Sequence, residues 1–131
     1  GTPPCVVEVA DGDAGRYVAE LARIAEKAAG EEGLTAIVAA DAARANWLSK
    51  QLGDRVQLVD RNSLMPASGV VLMDLRLAKG LEFDHVVVPD AQAEVYPDTP
   101  LSRRRLYTAI SRAMHEVTIV SQGELTPLLA R

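Results

Sequence analysis

Leu34-Thr35-Ala36-Ile37-Val38-Ala39-Ala40 is a near-continuous apolar run. It lacks the polar–apolar alternation of a half-solvated strand, so it predicts a strand buried on both faces, as in a parallel sheet covered by helices. Asp41 follows as a helix cap. The helix it opens is expected to carry Ala43, Trp47, Leu48 and Leu52 inward and to stop at Gly53. Upstream, Cys5 to Val9 predicts a first strand, and Asp11-Gly12-Asp13 a turn with an N-cap. From Ala14 to Ala29, Tyr17, Leu21, Ile24 and Ala28 recur at helical spacing, with Arg16, Glu20, Arg23 and Lys27 on the other face. Gly30 to Gly33 ends that helix.

Downstream, Arg55–Val59, Gly69–Asp74, His85–Pro89 and Glu116–Ser121 predict four more strands. Asp60–Ser68 is a polar connector, and Leu75–Phe83 is too short for a full crossover helix. Ala91–Pro100 is a loop. Thr99 and Pro100 form an N-cap and N1 pair for a helix from Leu101 to Met114, and Glu124–Arg131 adds a helical turn or two. Strands alternating with helices predict an α/β domain with a mainly parallel sheet flanked by helices. Ligands on such sheets sit beyond the carboxyl ends of the strands, here near Ala40, Asp60, Asp74, Asp90 and Ser121.

A chain of 131 residues is the size of one domain, and 48% apolar with 24% charged residues is the ordinary globular balance. The lone Cys5 excludes a disulfide framework and a cysteine-based zinc site, and two histidines, His85 and His115, argue against a metal cage. No apolar run approaches the roughly 18 residues of a membrane span. The opening Gly1-Thr2-Pro3-Pro4 is no secretory leader, so a reducing, cytoplasmic setting is expected. A net charge of −4 disfavours a strongly basic stand-alone nucleic-acid binder, and 4% aromatics are too few for the usual base-stacking surface. The chain has no internal repeat.

No lysine among Lys27, Lys50 and Lys79 follows a glycine, so there is no P-loop. There is no G-x-G-x-x-G, and no spacing suggests a Ser-His-Asp or Cys-His arrangement. Taken alone, the chain does not read as an enzyme. The last helix opens with Arg103-Arg104-Arg105, three cations against the helix dipole, which hints at function or a polyanionic neighbour. Arg105, Thr108 and Arg112 share one face, and Leu106, Ile110, Ala113 and Met114 form an apolar stripe opposite. Arg112 runs directly into the final strand, so its guanidinium is held at the sheet edge, as an arginine finger is presented to a γ-phosphate. The same residue also suits a plain helix C-terminus. In Lys79-Gly80-Leu81-Glu82-Phe83-Asp84, Leu81 and Phe83 are apolar anchors around a carboxylate that could accept from a ribose hydroxyl. The bare alternative is a loop with Lys79 and Glu82 solvated.

Lys79 to Asp84 followed by Val86-Val87-Val88 resembles motif V of the superfamily 1 helicases of the UvrD/Rep/PcrA kind, and Leu106-Tyr107-Thr108-Ala109-Ile110-Ser111-Arg112-Ala113 resembles their motif VI. Glu94-Val95-Tyr96-Pro97 is similar to the family's acidic-x-aromatic-Pro loop between them. Ala36-Ile37-Val38 with Ala43-Arg44 is similar to motif IV. The match runs from Val70 to Ser121, with nothing before Leu34. It implies the second, 2A-type RecA-like domain of such a motor, excised at residues 1–131 from a longer protein, with Gly1 an expression remnant. Only Asp54–Ser68 stands where the family carries its 2B insertion, as in compact, helicase IV-like relatives.

The resemblance implies catalytic roles for Arg112 and Arg44 at a γ-phosphate, and nucleotide contacts from Glu82 (ribose), Gly80 and Tyr107. It implies DNA contacts from Lys79, Arg104 and Arg76, the last standing where the family often has histidine. ATP with magnesium is the implied cofactor, its metal ligands on an N-terminal RecA-like domain of the same polypeptide, with single-stranded DNA as the other partner. The isolated domain, lacking Walker A and B, is expected to be inactive. Two other readings stand beside this one: a degenerate motor half kept as a protein-interaction or regulatory module, and an unrelated doubly wound domain. Trp47, Met65, Met73 and Met114 read as core or loop packing, and Asp74, Asp84 and Asp90 as strand-end caps rather than magnesium ligands.

Overall fold

The computed structural model describes residues 3–129. The Leu34 run is strand β2 (Leu34–Ala39), and every residue of it is buried. Before it come β1 (Cys5–Val9) and α1 (Ala14–Ala29). After it come α2 (Ala42–Leu52), β3 (Gln57–Leu58), β4 (Gly69–Asp74), α3 (Leu75–Ala78), β5 (Phe83–Val88), α4 (Pro100–Ile110) and β6 (Ala113–Gln122). The strands form one six-stranded sheet in the order β1-β6-β5-β2-β4-β3, every pair parallel.

Successive residues of a strand point to opposite faces, so β2 feeds two cores. Ile37 joins Tyr17, Leu21, Leu48 and Leu72 under α1 and α2. Val38 joins Phe83, Val86 and Leu106 under α3 and α4. The helices start where their caps stand: Asp13 accepts from the Arg16 N–H at 3.0 Å, Asp41 from Arg44 at 2.8 Å, and the Thr99 hydroxyl from Ser102 at 3.1 Å.

Several sequence expectations are corrected. In α2, Ala45 lies inward beside Leu48 and Leu52, while Ala43 is exposed, because the buried stripe follows the three- and four-residue helical spacing. Helix α4 ends at Ile110, where the Ser111 N–H and hydroxyl both bond the Tyr107 carbonyl. Strand β6 then begins at Ala113, so Ala113 and Met114 belong to the strand rather than a helical stripe, and Met114 is exposed. The third strand is shorter than predicted and lies at the sheet edge, with Arg55 in a short 3₁₀ turn before it. Residues 123–129 contain turns and an isolated bridge from Leu125 to Gln92 rather than a helix. Gly1 and the end of the tail expected to be helical lie outside the described residues. The link from β4 to β5 holds no full crossover helix, as its length predicts: the four-residue α3 and the turn at Lys79–Gly80 carry the chain past β2, which sits between the two strands.

His85 sits mid-sheet, with Nε2 2.8 Å from the Thr118 hydroxyl on β6 and Nδ1 3.5 Å from the Thr35 hydroxyl on β2. Burial lowers its pKa below the usual 6.5, and the nearby carboxylates of Glu116 and Glu31 only partly oppose this. The unfolded chain therefore binds the His85 proton at higher pH than the folded one. Stability is fully present above pH 6.5 and falls as the pH drops below it. Urea midpoints followed through this range should show that loss, and the His85→Gln protein should show a flatter profile.

Candidate functional site

Parallel strands begin at the same edge of a sheet, and this brings the Lys79–Asp84 segment and the end of α4 together. The Phe83 N–H donates to the Arg112 carbonyl at 2.8 Å, where β5 and β6 start side by side. The Arg112 guanidinium is held from both sides: Nε donates to the Thr108 carbonyl at 3.2 Å and Nη1 reaches the Leu81 carbonyl at 3.5 Å. Its Nη2 has no protein partner among the described residues. Leu81 closes a turn onto the Ala78 carbonyl at 2.9 Å, and Gly80 at its centre has φ +87, a left-handed conformation open to glycine. Phe83 is fully buried and anchors the segment, while Glu82 beside it is exposed and makes no hydrogen bond or ion pair among the described residues. The edge thus carries a rigid guanidinium with donors to spare and, between Leu81 and Phe83, an unpaired carboxylate.

Asp84 stitches the same edge. Its carboxylate accepts from the Leu34 N–H at 2.8 Å, capping the start of β2, and lies 3.7 Å from His115 Nε2. A Cβ on Gly33 would meet that carboxylate at 2.5 Å, so only glycine lets the two segments approach this closely. Arg76 on α3, Lys79 just after it, and Arg104 and Tyr107 on α4 are all exposed. Among the described residues no group of three or more His, Cys, Asp or Glu side chains could hold a metal ion.

Arg44 lies elsewhere. It sits on the first turn of α2, beyond the carboxyl end of β2, the length of a six-residue strand from Arg112, roughly 20 Å. Its Nε and Nη2 donate to the two oxygens of Asp90, at 2.8 and 3.0 Å, and its guanidinium stacks 4.2 Å over Trp47. Asp90 is buried and, at φ +59, takes the left-handed conformation although it is not glycine. The Tyr17 hydroxyl donates to its carboxylate at 2.9 Å and accepts from its N–H. Burial costs Arg44 some of its preference for charge, but Asp90 more than restores it and raises its pKa. Tyr17 is pushed well above the normal phenol range, first by burial and then by the Asp90 charge. Nearby, Arg105 donates to the Ala40 carbonyl at 2.8 Å, beside Tyr96, whose pKa burial pushes up to about 12. The structure therefore does not bring Arg44 and Arg112 to one place. It also sets the Lys79–Asp84 and Arg112 cluster at the amino edge of the sheet, not at the carboxyl edge where ligands were expected. Asp74 and Asp84 do cap backbone, at Leu77 and Leu34, but Asp90 is instead the hub of a buried network. The signal for that hub was Tyr17 itself: a tyrosine hydroxyl on a buried helix face usually finds a hydrogen-bond partner.

The profile of the UvrD-like helicase C-terminal domain matches residues 69–120, a span containing Arg76, Lys79, Gly80, Glu82, Arg104, Tyr107 and Arg112. The crystal structure of the C-terminal domain of a possible DNA helicase from Lactobacillus plantarum WCFS1 is 41% identical, covering 100% of this chain and 81% of that one, with a TM-score of 0.84. The chain belongs to the UvrD-like helicase C-terminal domain family. A CRISPR-associated protein shares the fold alone, at 15% identity and a TM-score of 0.54, over 93% of this chain and 17% of the other. No curated protein matches the chain. In this UvrD-like domain no helix among the described residues is long and apolar enough to cross a membrane.

The Asp90 network makes a stability prediction. Asp90→Ala strands a guanidinium and a buried hydroxyl, and should cost about 2–4 kcal/mol, the low side of a broken buried pair because Arg44 keeps some water. Arg55→Ala, which breaks an exposed pair with Glu26, should cost less than about 0.5 kcal/mol. Urea denaturation of the three proteins checks both.

Proposed function

We propose that this UvrD-like domain is the second motor domain of an ATP-dependent DNA helicase or translocase, completing an ATP site built mainly by a P-loop domain of the same polypeptide. The observation that carries this is the Phe83–Arg112 hydrogen bond, which ties the Lys79–Asp84 segment to the end of α4 at one edge of the sheet. The residues fit a nucleotide presented from across a cleft. Arg112 has guanidinium donors left after its two carbonyl contacts, and Glu82 is an unpaired carboxylate near it in the fold.

In this reading Arg112 neutralises charge developing on the transferred γ-phosphoryl group, and its carbonyl anchors keep it from reorganising during the step. Glu82 accepts from a ribose hydroxyl, with Gly80 setting the turn that presents it and Tyr107 flanking the site on α4. Magnesium bound with ATP would share the phosphate charge, held by ligands of the P-loop domain. Lys79, Arg76 and Arg104 hold the phosphates of single-stranded DNA. Closure on ATP and reopening after hydrolysis then move these cations along the strand. We assign Arg44 to holding the fold through Asp90 rather than to the phosphate. The isolated domain has no turnover of its own.

In the full-length parent protein, Arg112→Ala should lower single-strand-stimulated ATP hydrolysis by about 10³-fold or more while nucleotide binding is largely kept. Turnover within a few-fold of the parent would overturn the motor reading and favour an interaction module.

A further inference from the structure

The last carbonyls of a helix have no N–H partner within it and must be satisfied from elsewhere. At the end of α4 two adjacent residues supply the donors. The Tyr107 carbonyl accepts from the Ser111 N–H at 2.9 Å and from the Ser111 hydroxyl at 2.6 Å. The Thr108 carbonyl accepts from Arg112 Nε at 3.2 Å and lies 3.3 Å from the same Ser111 hydroxyl. The Ala109 carbonyl accepts from the Arg112 N–H at 3.2 Å. The Ser111 hydroxyl therefore stands between two carbonyls, and one of them is the anchor of the Arg112 guanidinium.

A serine that bonds back to the carbonyl four residues earlier competes with regular helix and bends it. Here it does so where the helix must stop. Ser111 has φ −73 and ψ −4, and one residue later the chain enters β6. The angle of that departure decides whether the Arg112 carbonyl meets the Phe83 N–H and whether Nη1 reaches the Leu81 carbonyl. Ser111 is exposed, so the core makes no demand on its side chain. Alanine, the better helix former, would favour continuing the helix instead. We infer that Ser111 is a positioning residue for Arg112: its hydroxyl fixes the last turn of α4, so that the guanidinium is aimed before ATP arrives. It acts through Arg112 and touches neither nucleotide nor DNA. The inference rests on the proposed function and adds to it a residue that supports the ATP site from behind.

Single-strand-stimulated ATP hydrolysis by the full-length parent protein, with ATP varied so that kcat and KM separate, tests the assignment. Ser111→Ala should lower kcat about ten-fold and leave KM within about two-fold, because a misaimed guanidinium costs the transition state more than the bound substrate. Ser111→Cys, close in volume but a weak donor, should show the same loss. Ser111→Thr, whose hydroxyl can also bond the carbonyl four residues back, should recover most of kcat. In the Arg112→Ala protein, Ser111→Ala should cost nothing further, since two changes that act through one group do not add. Melting curves establish that each variant is folded. If Ser111→Ala melts early, the comparison of Ser111→Cys with Ser111→Thr makes the same test. A Ser111→Ala kcat within about two-fold of the parent overturns the assignment. So does a full further loss in the Arg112→Ala background, or a Ser111→Thr protein no better than the alanine variant. In each of these cases the motor reading stands, provided that Arg112→Ala is itself impaired. If Arg112→Ala turns over as the parent does, the motor reading falls and the Ser111 assignment falls with it.

Discussion

The 2.8 Å hydrogen bond from the Phe83 N–H to the Arg112 carbonyl is the contact on which the geometry of the candidate site depends. It opens the parallel pairing of β5 with β6 and puts the end of a helix against the start of a distant strand. The Arg112 side chain then reaches back to the Leu81 carbonyl, so the segment bearing Glu82 and the residue bearing the guanidinium form one rigid unit. Ordering a free arginine side chain costs side-chain entropy. Here the sheet and the helix have already paid it.

The opposite edge of the sheet is organised around burial rather than exposure. Asp90, Arg44 and Tyr17 join the end of β5 to α2 and α1 through a carboxylate whose hydrogen bonds are all internal. Such a network is worth most when every member is satisfied. The left-handed Asp90 backbone turns the chain sharply after Val88 and Pro89, toward the loop that leads into α4. Through that loop, the buried hub at one edge sets the start of the helix that presents Arg112 at the other.

The fold itself is permissive. The same architecture appears at 15% identity in a CRISPR-associated protein, and that likeness speaks only of how the strands are stacked. What separates this chain is local: the Lys79–Asp84 and Leu106–Ala113 segments, both inside the span matched by the UvrD-like C-terminal profile. Those segments combine exposed charges with apolar anchors such as Phe83 and Leu106, so the core holds the positions of residues that the core itself does not need.

Local sequence was enough to determine the strands and long helices, because apolar periodicity and caps such as Asp13, Asp41 and Thr99 act within a few residues. It was enough, too, to match the Lys79–Asp84 and Leu106–Ala113 segments to a helicase family, because they carry its pattern. It missed where α4 ends, since the start of β6 is set by Phe83, a residue far away in sequence. It read Asp90 as a strand-end cap, because Tyr17 and Arg44 reach it only after the sheet has formed. Which edge of the sheet each site occupies, and that Arg44 and Arg112 lie at opposite ones, was decided by the tertiary structure alone. Strand order and direction are set by pairings between distant segments, and no run of neighbouring residues contains that information.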